Sequence, residues 1–239
     1  MLIGLFVVFI FSMIFPFLII SVVILKPKYK FEKSNYKVAS KNSFSKTIKD
    51  KGIYGEFITF TYLEELNFYK RLLANLYLPK PDGSTTEIDL LMISQTGIYV
   101  FESKNYSGWI FGDERHKNWT QTLKGNKKNQ FYNPIWQNNG HINALMTVLG
   151  MQEGNLFKSI IVFSERCELK KINVASPNVR VIKRDSLINT INQDQEGFHG
   201  VLTIEEIERI YLKLQEFNCV DERTKEAHIK NIRDGNRGL

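Results

Sequence analysis

Residues 2–25 form an unbroken apolar run with no charged side chain, interrupted only by small residues and Pro16. As a helix rising about 1.5 Å per residue it would reach roughly 36 Å, enough for a hydrocarbon core of about 30 Å. A cleavable leader would show a basic start, a shorter apolar stretch and a small-residue cleavage site, and none is present. No face carries the polar stripe of a helix packed on a globular core. The pattern therefore predicts a transmembrane helix over 1–25, and Pro16 does not forbid the span.

Residues 26–49 lose all apolar periodicity and read as a tether. Helical spacing returns over 50–67, with Ile53, Phe57, Phe60 and Leu63 on one stripe. Period-two strands follow at Leu72–Leu78, Thr86–Ile93 and Ile98–Lys104. The first ends in Pro79-Lys80-Pro81-Asp82-Gly83, and the last two flank the hairpin spacer Ser94-Gln95-Thr96-Gly97. Two short strands are predicted around Trp109 and Trp119, a helix from Asn133-Pro134 to about Leu149, and strands at Ser159–Phe163 and Val179–Ile182. Thr203-Ile204-Glu205-Glu206 is a capping box for a helix to about Phe217, and a charged helix over 222–233 follows. The order α-β-β-β-α-β-β, then helices, predicts a mixed α/β fold.

Charge sharpens the picture only after it is located. The chain carries a formal +7, but residues 26–51 hold nine lysines against Glu32 and Asp50, which is +7 already, and residues 52–239 balance at 23 against 23. Net charge thus says nothing about nucleic acid. It does orient the protein: the lysines follow the apolar run and nothing charged precedes it, which places the C-terminal bulk in the cytoplasm of a single-pass plasma-membrane protein. Lys26, Lys28, Lys30 and Lys33 would rest at anionic headgroups, each contributing about 1 kcal/mol. Cys167 and Cys219 have no CxxC or Cys/His company, so zinc modules, redox motifs and disulfide scaffolds are excluded.

The chemistry sits in the hairpin. A two-residue loop at Gln95-Thr96 sets Ile93 opposite Ile98, Leu91 opposite Val100, Asp89 opposite Glu102 and Glu87 opposite Lys104, all on one face. That face begins apolar and turns abruptly to charge. Opposed carboxylates stand about 4.5–5.5 Å apart at Cβ and repel, so they need a shared proton, a neighbouring cation or a metal ion. Magnesium takes one or two carboxylates, keeps waters and accepts phosphate oxygens. Lys104, two residues beyond Glu102, would orient a water or steady charge on a scissile phosphate. The alternative is an ion-paired strand end in which Glu87 neutralises Lys104.

Gly55-Glu56, Glu87-Ile88-Asp89-Leu90-Leu91, Gly97 through Asn105 with Glu102-Ser103-Lys104, Gly108, Trp119, and Asn133-Pro134-Ile135-Trp136-Gln137 with His141 resemble the nuclease-related domain, NERD, of the PD-(D/E)XK restriction-endonuclease-like superfamily. The resemblance covers about residues 48–165 and implies a restriction-endonuclease-like αβββαβ core. It makes Asp89 and Glu102 the metal ligands, for magnesium or manganese, and Lys104, Glu56 and Gln137 the catalytic group. Gln137 and His141, four apart, share a helix face, where they either meet a phosphate or form a surface pair. Lys117, Lys124, Lys127 and Lys128, with Arg115, Tyr106, Trp109 and Trp119 among them, offer phosphate contacts and base stacking, or else a solvated loop over core tryptophans.

The expected organisation is a transmembrane helix (1–25), a basic juxtamembrane tether (26–47), a NERD domain (48–165) and a C-terminal strand and helical extension (166–239). The expected activity is metal-dependent hydrolysis of nucleic acid, DNA before RNA, by a membrane-anchored nuclease-like protein. The alternative is a non-catalytic tethered module that binds nucleic acid or a protein.

Overall fold

A computed structural model describes residues 25–152, 154–196 and 200–218. The predicted span over 2–25 lies, except for Leu25, outside the described residues, as do His199, Cys219, His228 and the predicted helix at 222–233. Among the described residues no helix is long and apolar enough to cross a membrane.

Four helices lead: α1 (Lys26–Lys33), α2 (Tyr36–Ser40), α3 (Phe44–Lys49) and α4 (Lys51–Glu64). Strands β1 (Lys70–Pro79), β2 (Thr85–Ser94), β3 (Gly97–Lys104), β4 (Gly108–Asp113), β5 (Asn118–Thr122) and β6 (Lys128–Tyr132) come next, then α5 (Pro134–Leu149). The chain continues with β7 (Phe157–Phe163), β8 (Cys167–Asn173), β9 (Val179–Lys183), α6 (Leu187–Gln195) and α7 (Ile204–Gln215). The fold is mixed α/β, with two sheets ordered β1-β2-β3-β7-β9 and β6-β5-β4-β8. In the larger sheet β1, β2 and β3 are antiparallel, whereas β3, β7 and β9 run parallel.

Alternation along β2 and β3 builds a core on each face of the larger sheet. Leu91, Ile93, Ile98 and Val100 pack with Leu145 of α5 and Ile207, Ile210 and Leu214 of α7. Leu90, Met92, Tyr99 and Phe101 pack with Phe57 and Phe60 of α4 and Ile191 of α6. Both faces are covered, which is why β3 is buried along its whole length except at Lys104. The smaller sheet lays Ile110, Trp119 and Phe131 on the end of β7, where Trp119 stacks on Phe163 with centroids 6.2 Å apart.

The hairpin keeps the predicted register from Ser94–Gly97 to Leu90–Phe101. Gly97 has φ +128°, and a Cβ there would lie 2.6 Å from the Leu156 carbonyl oxygen, so the turn demands glycine. Asn133 caps α5, accepting from the Ile135 N–H at 2.9 Å, and the Thr203–Glu206 capping box forms at α7.

The structure adds to the expected organisation in three ways. The tether is folded: α1 and α2 bury Phe31 and Tyr36 completely against Phe57 and Phe60. The C-terminal extension completes both sheets, β8 pairing with β4 and β9 with β7. Strands β6 and β8 and helix α6 were not predicted. The two strands carry polar residues on their solvent side and lack a sustained apolar run.

If residues 26–49 belong to the domain, Phe31→Ala should cost about 3–5 kcal/mol in chemical denaturation, the usual loss for a buried phenylalanine. A loose tether predicts no change.

Candidate active site

The cleft forms where β3 ends and the chain leaves for the smaller sheet, at the carboxyl end of the parallel pair β3–β7. It has a volume of about 400 Å³, and its lining includes Glu56, Asp89, Glu102, Lys104, Tyr106 and Gln137. Each side chain is delivered by a distinct local cause. Asp50 caps α4 by accepting from the Gly52 and Ile53 N–H groups, and that helix carries Glu56. Gly55 lets the helix close on the strand end, since a Cβ there would lie 2.8 Å from Asn105 Cβ. Glu102 and Lys104 share a face of β3 by period two. Helix α5 is pinned by Asn138, which donates to the Val100 carbonyl and to Ser159 Oγ, both at 2.8 Å. Beside that pin, the preceding residue Gln137 and His141, three residues on, reach the site.

Glu102 is almost fully buried and has partners at both oxygens. Lys104 Nζ donates to Oε1 at 2.6 Å, and His141 Nε2 lies 3.2 Å from Oε2. An ionised carboxylate only accepts, so His141 Nε2 donates to Glu102, and Nδ1 of the same ring lies 2.8 Å from Thr86 Oγ1. Lys104 also donates to Gln137 Oε1 at 3.0 Å. Asp89 is not a ladder partner of Glu102: the strands open beyond Leu90–Phe101, and Asp89 Oδ2 accepts from the Ser103 N–H at 3.3 Å. The expected Glu87–Lys104 neighbourhood does not form either. Glu87 lies across from Tyr77 of β1 and accepts its hydroxyl at 2.6 Å, while Lys104 turns to Glu102.

The three carboxyls are therefore shifted in different directions. Burial alone would raise Glu102, but Lys104 and His141 outweigh it and hold its carboxyl below the usual range. Burial, followed by repulsion from Glu102 and Glu56, pushes Asp89 well above the carboxylate range. Burial, followed by Glu87 and Glu102, pushes Glu56 up to about 8. Lys104 is desolvated, yet Glu102 keeps it more firmly protonated than a free lysine.

Spacing gave no hint of several supporting residues. The buried Tyr36 hydroxyl approaches Glu56 Oε2 at 3.5 Å, so the supposed tether touches the site. Thr59 of α4 donates to the Gly55 carbonyl at 2.9 Å and accepts from Arg184 Nε at 3.0 Å, while its Oγ1 lies 3.2 Å from Ser103 Oγ. This junction, buried beneath the site, ties the helix of Glu56 to the strand of Glu102 and Lys104. The basic residues Lys117, Lys124, Lys127 and Lys128 are all exposed on the smaller sheet and do not line the cleft. Lys117 stands at the opposite end of β5 from the other three. Trp119 is core, but Trp109 is 46% exposed. Lys26, Lys28 and Lys33 are exposed on α1, whereas Lys30 lies over the Tyr62 ring.

The donors suit a hard cation: two carboxylates in an open cleft fit an ion that keeps several waters. Among the described residues no group of three or more His, Cys, Asp or Glu side chains is arranged to hold a metal. The model of one family, the nuclease-related domain (NERD), matches residues 51–164. An uncharacterized protein of Bacillus anthracis is 34% identical over 188 residues, covering 77% of this chain and 84% of that protein. No solved structure matches.

Glu56 keeps its proton to about pH 8 when folded but loses it near 4.5 when unfolded, so the stability it supports is complete below 4.5 and is lost as pH climbs through 8. Asp89 acts in the same direction. Denaturation of the metal-free protein should therefore become easier over that interval. Asp89→Asn should raise stability near pH 8 and flatten the slope; an unchanged slope would contradict the proton assignment.

Proposed function

The chain belongs to the nuclease-related domain family, and from that membership we propose that it hydrolyses phosphodiester bonds of nucleic acid, DNA before RNA, in the cleft at the end of β3. The observation that carries the reading is the gathering of Glu56, Asp89, Glu102, Lys104 and Gln137 from four separate elements around one opening. Asp89 and Glu102 would hold magnesium or manganese; each Glu102 oxygen that meets a partner retains a second lone pair. Such an ion would supply Lewis acidity and a water of lowered pKa.

The rest is done by the chain's own residues. Lys104 spends two N–H donors on Glu102 and Gln137, and its third serves an attacking water or a phosphate oxygen. Gln137 fixes the lysine's direction through Oε1. Glu56, carrying a proton near neutral pH, provides it to the departing oxygen. The acidic pair needs a phosphate held against its own repulsion, and the exposed Lys117, Lys124, Lys127 and Lys128, outside the cleft, would add positive charge along the polymer's path. The apolar run at 2–25 supports a membrane anchor with Lys26, Lys28, Lys30 and Lys33 at the headgroups and the domain on the cytoplasmic side. A second reading, a tethered binding module without turnover, draws on the two partners that already occupy Glu102.

Full-length protein in detergent, incubated with plasmid, linear duplex, single-stranded DNA and RNA plus magnesium or manganese, should cleave at least one of them. Lys104→Ala should slow cleavage about 10²–10³-fold, the scale for removing a charge-stabilising donor. Asp89→Ala should abolish it. Equal behaviour of wild type and Asp89→Ala would leave the binding module as the function.

A further inference from the structure

The cleft draws no lining residue from the strands of the smaller sheet and leaves its outer face without a task. Register and burial sort that sheet cleanly. Ile110, Trp119 and Phe131 point inward, so Trp109 and Phe111 of β4 and Lys128, Gln130 and Tyr132 of β6 point outward. Trp109 is 46% and Tyr132 47% exposed, and Phe111 is half-buried and belongs to no core cluster. Trp109 and Phe111, two residues apart, sit about 6.6 Å apart along the strand. The aromatic surface continues onto α5, where the exposed Trp136 meets the Tyr132 ring edge-on at 6.3 Å. Trp136 directly precedes Gln137 of the cleft.

Positive charge lies on the same face. Lys171 stands opposite Phe111 on β8, and Lys128 shares a row with Trp109 through Thr122. Lys170 covers the Trp109 ring at 5.1 Å and pairs with Glu168 at 2.6 Å. Lys124 and Lys127 flank the adjoining turn. Exposed rings interleaved with lysines on an open sheet match flexible polyanions whose flat bases are free to stack; a duplex keeps its bases on each other and offers these rings nothing.

We propose that the outer face of the smaller sheet is a platform for single-stranded nucleic acid, on which Trp109, Phe111 and Tyr132 stack bases while Lys128 and Lys171 meet phosphates, leading the strand past Trp136 to the cleft. The choice of a nucleic acid as the polyanion rests on the nuclease reading. The stacking geometry stands independently of turnover.

The test is fluorescence anisotropy of full-length protein in detergent, in EDTA, with a labelled thymidine oligonucleotide of roughly 15 nucleotides, the upper range of one single-strand site, and with a duplex of equal length. Wild type should favour the single strand. Trp109→Ala and Tyr132→Ala should each weaken that binding about tenfold with little change on duplex, and Trp109→Phe should restore most of it. Lys128→Ala and Lys171→Ala should weaken both ligands and flatten the salt dependence by about one unit each. Affinity within about twofold of wild type for both aromatic variants, a preference for duplex, or self-association lost in Trp109→Ala would overturn the platform. If nothing is hydrolysed yet binding still depends on Trp109, the nuclease reading fails alone; if hydrolysis proceeds and the aromatic variants bind normally, the platform fails alone.

Discussion

One ion pair organises this protein: Lys104 and Glu102, two residues apart on β3, with side-chain exposures of only 17% and 2%. Charges so far from water persist only as a satisfied set, and stripping one partner from such a pair costs about 3–5 kcal/mol. The set is completed from elsewhere, by Gln137 on the lysine and His141 on the glutamate. Helix α5 must therefore lie across the end of β3 in one rotation, which Asn138 secures by reaching the Val100 carbonyl. The same demand explains why the Asp89 and Glu56 carboxyls are pushed up. With Glu102 already ionised and its counter-charge committed to it, a second or third negative charge in the cleft finds no compensation.

The order of elements and the hairpin register were legible because they depend on alternation and a two-residue loop, both local. The meeting of distant helices was not. Gln137 and His141 share a helix face in any reading, but whether that face meets water or a buried carboxylate depends on a sheet formed by β3 and β7, 59 residues apart at the paired Lys104 and Phe163. The partnership of Glu87 was illegible for a related reason. Strand β2 has neighbours on both sides, and the ladder to β1 persists to Pro79–Thr85 where the ladder to β3 has already opened. Residues 26–49 escaped because their helices are too short to repeat an apolar period, so Phe31 and Tyr36 stand among lysines without a stripe. Thr59 and Arg184, 125 residues apart, leave no pattern at all.

The two sheets divide the work. The larger one, covered on both faces, is a rigid frame whose strand ends carry the acids. Among the described residues the smaller one is covered on one side, by the contact of Trp119 with Phe163, and its other side meets solvent. Its strands β4, β5 and β6 are inserted between β3 and the parallel partner β7, and β8 joins them after β7, so the connection that every such crossover requires also carries a second surface.

Tyr36 carries a last consequence. The hydroxyl that approaches Glu56 belongs to a helix beginning a few residues after Leu25, and Phe31 between them is locked in the core. Between Leu25 and that hydroxyl the chain is folded and offers no leash. Under the proposed membrane anchor, the candidate cleft would stand at a fixed height above the bilayer and meet only polymers that pass within that narrow layer.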